Sequence, residues 1–317
     1  GVNLSSVNLS NANLTGVAFD NTTIFSDGTI AVNLKNTVGS GAEISGDFSS
    51  KNFSKVNLRG VDLSASTLTD ANFSEAIYDW TTKWPSGFDP NGVGAIEYGI
   101  KTIYVDADAS GSNEGFSWAN AFTDLQSALD LAKAGDEIRV AGGTYLPTGD
   151  GNRSVSFAMV SGVSVLGGFA GIDGNEDRDF ITYETILSGD IGVYGDPVDN
   201  SYNVVTIIDG NSSTIFEGFT IKGGYGNGSD QHGRGGGIYL WEGEPRLSKL
   251  ILRENYSLEG GGGLAIFASD AVVDNCQFIG NQSDNGGGLL VDKDFWGARN
   301  SSSVTISNLL FEDNSGT

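Results

Sequence analysis

The sequence predicts an all-β protein made of two tandem β-solenoids, and two repeats in it predict this fold. Late in the chain a pattern of short apolar strands recurs, with steps of 26 residues from Ile238 to Leu264 and 25 from Leu264 to Leu289. Early in the chain one apolar residue recurs every five residues. Alternating apolar residues at these periods do not suit the longer repeats of helical solenoids, so both segments are expected to wind into stacked β-coils.

The later repeat places three apolar columns on the inside of its coils. Four aligned segments, GFTIKGG, KLILREN, NCQFIGN and NLLFEDN, share two of the columns. One column holds Phe219, Leu250, Cys276 and Leu309, another holds Ile221, Leu252, Phe278 and Phe311, and the third holds Ile238 with Leu240, Leu264 with Ile266, and Leu289 with Val291. Because each coil stacks about 4.8 Å above the last, the columns predict continuous inward ladders.

Glycines and asparagines occupy the turns of the same repeat. Glycine triplets, such as residues 235–237, precede the third strand, where a tight turn lies beneath an identical turn and side chains would obstruct it. Asn255, Asn281 and Asn314 follow the second strand, where stacked amides can hydrogen-bond from coil to coil. Gly224 replaces the asparagine in the first of these coils.

The chain is strongly acidic. Its 317 residues include 17 Lys and Arg against 40 Asp and Glu, which gives a net charge of −23. Such a surface repels nucleic-acid phosphates and anionic membranes, so either is a poor partner, whereas it suits divalent cations. The 47 glycines and 5 prolines are typical of a turn-rich all-β chain.

The single cysteine and the two ends of the chain bear on disulfide bonding and on whether the chain is part of a longer protein. Cys276 falls in a core column, which predicts a buried apolar filler, and one cysteine allows no intramolecular disulfide. No apolar run approaches the ~18 residues of a membrane span. The sequence begins at Gly1 without a leader and stops in mid-repeat at Thr317. We therefore expect part of a longer protein, with any anchoring signal outside this segment.

The five-residue period runs from Val2 to about residue 80. Its central column holds Leu4, Leu9, Leu14, Phe19 and Ile24, then Phe48, Phe53, Leu58, Leu63, Leu68, Phe73 and Tyr78. A small or β-branched residue comes two positions earlier, although Lys51 and Ser66 depart from this rule. These quintets resemble the pentapeptide-repeat family, whose four-sided, right-handed β-helix points both columns inward. Some members of that family resemble B-form DNA and inhibit topoisomerases, which leaves an acidic DNA mimic as an alternative function.

Two features interrupt and end the quintets. Around residues 35–45 the phase of the column shifts, which predicts a loop between two stacks, because a one-residue error would turn the core outward. Residues 81–90 are similar to the tail that closes many pentapeptide-repeat stretches, so Trp84 and Phe88 are predicted to cover the end of the stack. We place the first domain at residues 1–90 and a linker at 91–100.

A helix is predicted at about residues 123–134, near the start of the second solenoid. Its apolar stripe consists of Leu125, Ala128, Leu129 and Ala132. Thr123 with Gln126 predicts a capping box, and Gly135 predicts the end of the helix. One amphipathic helix ahead of a β-helix is expected to plug the N-terminal end of its core.

Residues 101–317 carry a second resemblance. The motifs are IYVDADASGSNEGFSWANAFTDLQSALDLAKAGDEIRVAGGTY, GVSVLGGFAG, ETILSGDIG and DNSYNVV, followed by the GGGI coils. They look like the right-handed parallel β-helix of large bacterial surface and secreted proteins. That group is related to polymorphic outer-membrane proteins and to proteins with a C-terminal choice-of-anchor domain, within the pectate-lyase-like superfold. The resemblance implies an adhesin or surface-layer component that acts outside the bacterial cell.

Acidic loops supply candidate ligands for calcium, which is a possible but not a required cofactor. The candidates are Asp173, Asp177, Asp179, Asp190, Asp196 and Asp199. Hard oxygen ligands in flexible loops suit Ca²⁺. Their spacing matches no EF-hand loop and no nonapeptide calcium repeat, so the alternative is that these aspartates accept hydrogen bonds from turn amides in solvated loops.

Aromatic residues near the third strand indicate a binding surface. Tyr239 and Trp241 alternate with inward residues, and Phe267 lies one coil below Trp241, which predicts an outward ladder able to stack on sugar rings. Tyr225 and Trp296 lie in nearby insertions. We interpret these five residues as contacts for a glycan or for another cell-surface protein. The alternative is that the rings pack loops onto the flank of the solenoid.

A polysaccharide lyase or hydrolase is the enzymatic alternative. Cleavage of an acidic polysaccharide needs a cation and a basic residue on one face. Lys222 and Arg253 share an outward column, but that column continues as Ile279 and Glu312, and the only histidine, His232, lies in a polar loop. The sequence therefore favours a non-enzymatic, adhesive segment of an extracellular protein.

Overall fold

The computed structural model describes residues 3–4, 18–20, 24–25, 43–54, 56, 58–79, 81–97, 99, 101–172, 175–292 and 303–316. Asp173, Trp296 and most quintets before residue 43 lie outside these ranges. The chain divides into two compact units, Gly1–Lys101 and Thr102–Thr317, and each is described by itself. Stacked parallel strands build both units, which confirms the predicted all-β solenoid fold.

Each regular coil of the first unit is four quintets long. Asn52 lies opposite Asn72 and Gly46 lies opposite Ser66, so equivalent residues are 20 positions apart. The strands are Asn3–Leu4, Ala18–Asp20, Ile24–Phe25, Glu43–Asp47, Ser66–Thr67, Ile77–Tyr78 and Ile96–Glu97. Five residues per side and four sides per coil give the geometry that the quintets imply.

In the described part of the first unit, the central column is buried from Phe48 onward and the second column from Val56 onward. The central column from Phe48 to Tyr78 is at most 5% exposed, and the rings of Phe53 and Phe73 stack with centroids 4.8 Å apart. The second column is also buried and consists of Val56, Val61, Ser66, Ala71 and Ala76. Ser66 therefore stays inside the core, whereas Lys51 is exposed.

At four corners of the first unit, the residue before the central position stabilises the turn of the coil. The side chains of Asp47, Asn52, Asp62 and Asn72 each accept a hydrogen bond from the backbone amide two residues later, at 2.9–3.0 Å. This side-chain contact imitates a backbone turn and stabilises it. The Asn or Asp of these four quintets is thus explained by a local contact at the corner.

The prediction of a loop at residues 35–45 is wrong at the C-terminal end of that range. Glu43–Asp47 is a strand that pairs in parallel with Ala18–Asp20, and Phe19 lies opposite Ile44. The step across this pair is 25 residues rather than 20, so the coil takes in five additional residues and the backbone ladder then resumes. Residues 35–42 lie outside the described ranges.

Aromatic rings pack over the last quintets. Trp84 and Phe88 are partly buried, and each ring lies 5.4 Å from the ring of Phe73. Their own rings stack with centroids 5.1 Å apart. The segment predicted as a linker is not entirely irregular, because Ile96–Glu97 pairs with Ile77–Tyr78 and adds another rung to the stack.

The second unit winds through three parallel sheets and one short ladder, which we name A, B, C and D. Sheet A contains Thr102–Val105, Glu137–Ala141, Ser164–Gly171, Ile215–Glu217, Arg246–Ser248, Val272–Asp274 and Thr305–Ser307, with Asn175–Arg178 added antiparallel. Sheet B contains Gly143–Tyr145, Thr185–Ser188, Thr220–Lys222, Ile251–Arg253, Gln277–Ile279 and Leu310–Glu312. Sheet C contains Phe157–Met159, Val205–Gly210, Ile238–Gly243, Leu264–Phe267 and Leu289–Asp292. Ladder D contains Tyr225–Gly226, Tyr256–Ser257, Gln282–Ser283 and Ser315–Gly316.

The helix near the start of this unit is shorter than predicted. It spans Leu125–Leu131, and its N-cap is Asp124, whose carboxylate accepts from the amide of Ser127, so the capping box of Thr123 with Gln126 is wrong. It ends at Leu131 and not at Gly135, because the backbone of the C-cap residue Ala132 is extended. Its apolar stripe belongs to the main core and packs against the first strands of sheets A and C.

Among the residues that the structure describes, short 3-10 helices lie at Trp118–Asn120, Pro197–Asp199 and Asp230–Gly233. Within the described ranges, no helix has the length and apolar character needed to cross a bilayer.

Inward residues of the second unit stack in register, as the columns predicted. Leu252 lies opposite Phe278, which lies opposite Phe311, and the two phenylalanine rings stack 4.9 Å apart. Cys276 is buried in the adjacent column, and burial raises the pKa of its thiol to about 11. Phe311 and Val291 were predicted to be buried but are 51% and 38% exposed, because each lies on the last described rung of its sheet.

The predicted asparagine ladder is confirmed. The amide nitrogen of Asn255 donates to Oδ1 of Asn281 at 3.0 Å, and that of Asn281 donates to Oδ1 of Asn314 at 2.9 Å. The same nitrogens also donate to the carbonyls of Ile221 and Leu252. At Gly224 a side chain is impossible, since a Cβ would lie 1.8 Å from the carbonyl oxygen of Gly236, and the backbone amide of Gly224 donates to Asn255 instead.

Replacing Asn281 with alanine should lower the free energy of unfolding by about 3 kcal/mol, because buried donors and acceptors on both neighbouring coils lose their partners. Urea denaturation measures the change. The control is Asn211→Ala, which removes an exposed turn contact and should cost about 0.5 kcal/mol. Equal losses for the two variants would contradict the role of the ladder.

Glycines of the triplets are required by close approach rather than by backbone conformation alone. A Cβ on Gly262 would lie 2.3 Å from the carbonyl oxygen of Gln282 on the coil above. Gly280 offers the opposite case, since its φ is +61° but a Cβ there would meet nothing within 4 Å.

We therefore expect Gly262→Ala to cost about 3 kcal/mol of stability through the clash. The cost of Gly280→Ala should be about 1 kcal/mol, from the left-handed conformation only. The two variants are compared by urea denaturation. The explanation would be wrong if Gly280→Ala proved as damaging as Gly262→Ala.

Candidate functional site

An open groove follows the corner of the second unit where sheet B meets ladder D. It consists of two cavities of about 530 and 410 Å³ that share Asn200, Gly223 and Glu254 as lining residues. The first cavity is also lined by Thr144, Leu146, Ser188, Asp190, Tyr194, Gly195 and Lys222, and the second by Pro197, Gly224, Tyr225, Asn255, Tyr256, Gly280 and Gln282. We call this surface the corner groove. Its two volumes lie in the range of ligand sites in proteins.

The floor of the corner groove comes from the regular coils. Lys222 ends a strand of sheet B, and Gly223, with φ of +71°, turns the chain into ladder D. Glu254 occupies the equivalent turn one coil later, with φ of 56°. The repeat therefore sets side chains of sheet B and of ladder D along the two sides of one continuous corner.

Two tyrosines stack in the floor of the second cavity. Tyr225 lies opposite Tyr256 in ladder D, with ring centroids 4.8 Å apart and an angle of 27° between the rings. Both rings are half-buried. Burial, together with the charge of Asp284 and with Tyr225, raises the pKa of Tyr256. A rigid, partly exposed aromatic pair is suited to stacking on the apolar face of a sugar.

The other wall of the groove is the loop of residues 189–200, and its aspartates hold the loop in shape. Asp190 accepts from the amide of Gly195 at 3.0 Å, Asp196 from Val198 at 3.1 Å, and Asp199 from Val193 at 2.7 Å. These contacts match the alternative to calcium binding, in which aspartates accept from turn amides. The loop also carries Tyr194, which is 94% exposed at the rim of the first cavity.

The remaining calcium candidates lie outside the loop of residues 189–200. Asp179 accepts from the amides of Ile181 and Thr182, which lowers the pKa of its carboxyl, and Asp177 lies exposed on the antiparallel strand. Asp173 lies outside the described ranges. Across the residues that the structure describes, no three His, Cys, Asp or Glu side chains converge as metal ligands. Calcium binding stays a prediction.

Arg153 fastens the wall to the floor across three successive coils. Its guanidinium donates to the carbonyl of Asn200 at 2.6 Å, to the carbonyl of Tyr225 at 3.0 Å, and to Oδ1 of Asn227 at 2.7 Å. The same group lies 4.1 Å from the ring centroid of Tyr202. His232 stacks on that ring as well, at 4.9 Å, which gives the only histidine a packing contact.

The predicted aromatic ladder on sheet C is more buried than expected. Tyr239 and Phe267 are only 4% and 3% exposed, so the expectation that they face solvent is wrong. They pack with the half-buried Trp241 and with Leu290, and Arg234 lies over the ring of Phe267. Of the five predicted contacts, Tyr225 lines the corner groove, Trp241 lies on sheet C, and Trp296 is outside the described ranges.

Several groove residues were missed by the sequence analysis. Tyr256 had a usable signal, because it follows LREN as Tyr225 follows IKGG, at the same point of the repeat. Asn200 and Arg153 had none, since both lie in loops of irregular length. The predicted column of Lys222, Arg253, Ile279 and Glu312 is confirmed by the register of sheet B.

Fold and groove together define a β-solenoid with an open groove on its second unit. A family model of pentapeptide repeats matches residues 1–24 and 47–77, in eight copies. This match agrees with the resemblance that the quintets carry. The searches of curated proteins and of solved structures found no match. The resemblance of residues 101–317 to bacterial surface proteins stays a prediction.

Replacing Arg153 with methionine should open the wall of the groove. The variant keeps an unbranched stem but loses three hydrogen bonds from a charged donor, at a cost of about 2 kcal/mol. We expect faster amide hydrogen exchange at residues 200–202 and 225–228. Arg246→Met, on the exposed side of sheet A, is the control and should leave these amides unchanged. Unchanged exchange in Arg153→Met would contradict the assignment.

Proposed function

We propose that this chain is a non-enzymatic β-solenoid that binds a polysaccharide in the corner groove. The observation that carries the proposal is the stacked pair Tyr225 and Tyr256 in an open groove with polar walls. Aromatic rings provide the apolar contact that a sugar ring needs, and the surrounding hydroxyl, amide and carboxylate groups can exchange hydrogen bonds with its hydroxyls. Pentapeptide repeats in the first unit support a structural or binding role, since proteins with such repeats are generally not enzymes.

The groove is suited to binding because it is already formed. Its floor belongs to the hydrogen-bonded coils, and its wall is fixed by Arg153 and by the aspartates of the loop. A ligand would therefore order few groups on binding, and this preorganisation favours affinity. The open shape admits the middle of a long chain, whereas a closed pocket would admit only its end.

An extracellular or cell-surface location belongs to the same proposal. A polysaccharide ligand, the acidic surface and the resemblance of residues 101–317 to bacterial surface proteins support it. In that setting the first unit would serve a structural role, and the binding partner would be a glycan on a cell or in its matrix.

Two alternatives rest on other parts of the chain. A lyase would need a basic group beside a cation, and among the residues lining the corner groove Lys222 is the one basic side chain. A DNA mimic would use the acidic quintets of the first unit, with which the family match is compatible. A gyrase supercoiling assay tests the second alternative, and product release from polysaccharides tests the first.

Tyr256→Ala should weaken polysaccharide binding about tenfold, which corresponds to ~1.4 kcal/mol of lost stacking and contact. A glycan array first identifies the polymers that bind, and titration calorimetry then gives the affinities. Trp241→Ala is the matched control, because it removes a half-buried ring from sheet C rather than from the groove.

Three results would count against the proposal. Loss of binding in Trp241→Ala but not in Tyr256→Ala would move the site to sheet C. Turnover of the bound polymer would favour the enzymatic alternative. A chain that binds no glycan of the array would remove the proposal altogether.

A further inference from the structure

The corner groove runs along the direction in which the coils stack. Its first cavity is lined by residues from four successive coils, at or just after the strands of sheet B: Leu146, Ser188, Lys222 and Glu254. Its second cavity reaches the fifth coil, where it is lined by Gln282. Because neighbouring strands lie about 4.8 Å apart, the four steps between five coils give the groove a length of roughly 19 Å.

A third cavity, of about 330 Å³, extends the groove past the first coil of sheet B. It shares Thr144 and Leu146 with the first cavity, and both of these residues are exposed. It is also lined by Thr123 and Asp124, which directly precede the helix. The three cavities therefore form one path that runs from the start of the helix to the fifth coil.

The floor of this path is straight, and a wall bounds it on one side. Ser188, Lys222 and Arg253 lie opposite one another in sheet B without a shift of register, so their outward positions fall on one line. The wall is the loop of residues 189–200, whose Tyr194 is 94% exposed. A polymer that crossed the coils would contact few of them and would meet this loop, whereas a polymer that lies lengthwise contacts all five coils.

We propose that the corner groove binds a straight, β-1,4-linked polysaccharide of the glucan, mannan or chitin type lengthwise, with a further subsite at Thr144 and Leu146. The inference rests on the proposed function and adds the class of ligand and its orientation. Such a chain is an extended ribbon, and each sugar is close in length to the rise of one coil, so successive sugars meet successive coils. A helical chain such as amylose curves away from a straight floor.

Apolar side chains serve both ends of the path. Tyr225 and Tyr256 lie on two successive coils in the second cavity. Leu146, which is 41% exposed, and Tyr194 line the first cavity. Covering exposed apolar surface with the apolar face of a sugar is favourable at each of these positions. A longer chain covers more of them and therefore binds more tightly.

The first experiment compares hexasaccharides of equal length and different shape by titration calorimetry. The straight probes are cellohexaose, β-1,4-mannohexaose and N-acetylchitohexaose, and the curved probe is maltohexaose. At least one straight probe should bind about tenfold more tightly than maltohexaose. Equal or tighter binding of maltohexaose, or a glycan array that responds only to other polymers, would overturn the inference and leave polysaccharide binding intact. A glycan array without any response would remove the proposed function itself.

The second experiment varies the length of the straight probe that binds. Affinity should rise about tenfold from the trisaccharide to the hexasaccharide, because the longer chain fills more of the path. Equal affinities for the two lengths would indicate one short site and would overturn the lengthwise orientation.

Leu146→Ser tests the further subsite. It should weaken binding of the hexasaccharide about fivefold and leave the trisaccharide unchanged, because the shorter chain can stay on Tyr225 and Tyr256. Leu258→Ser is the matched control, since Leu258 is 42% exposed against 41% for Leu146 but follows ladder D and lines none of the three cavities. Melting temperatures show that both variants fold.

Tyr194→Ala provides a second measurement at an exposed side chain, with an expected loss of roughly threefold for the hexasaccharide. Unchanged hexasaccharide affinity in both Leu146→Ser and Tyr194→Ala would overturn the further subsite. Equal losses in Leu146→Ser and Leu258→Ser would overturn it as well, because the effect would then not depend on the groove.

Discussion

Coil-to-coil backbone hydrogen bonding is the constraint on which the second unit depends. Each strand of sheets A, B and C donates to and accepts from the equivalent strand one coil away, so every coil must repeat the path of its neighbour closely. Where two backbones meet in a turn, no side chain fits, as the distance of 2.4 Å from a Cβ on Gly237 to the carbonyl of Gly263 shows. The glycine triplets of the second unit follow from this close approach.

Register between the coils is fixed by polar contacts as well as by the apolar core. A dry column of leucine and phenylalanine tolerates small shifts, since apolar contact has no preferred direction. The asparagine ladder does not, because Asn255 and Asn281 each bond to the amide group of one neighbour and to the backbone of the other. In the first unit, Asp and Asn side chains stabilise the corners within a coil, where they accept from the amide two residues later.

The candidate site arises where the repeat is broken. Regular coils provide a floor with stacked tyrosines, but a floor alone is a flat surface. The loop of residues 189–200 leaves the repeat between sheets B and C, and Arg153 from an earlier coil fastens it beside the floor. Loops tolerate such additions because the coils beneath them carry the stability. The groove is therefore a product of one insertion placed on a rigid support.

The same reasoning explains why sheet C is a poorer site. Its outward rings are close in sequence to the glycine turns, and neighbouring side chains cover them. The ring centroids of Tyr239 and Phe267, for example, lie 5.8 Å apart. Aromatic residues that alternate with core residues need not face solvent, because loops can pack over the outer side of a sheet. Solvent exposure depends on those loops, and a period of two along a strand does not contain that information.

The sequence by itself determined the features that recur from coil to coil. Its periods of five and about 26 residues were enough for the solenoid class, the buried columns, the Asn255 to Asn314 ladder and the glycine turns, because each of these depends on a residue and its copies one coil away. Only the tertiary structure decided the helix cap at Asp124, the strand at Glu43 and the corner groove. These depend on contacts between residues of unequal spacing, such as Arg153 with Tyr225, for which no period exists.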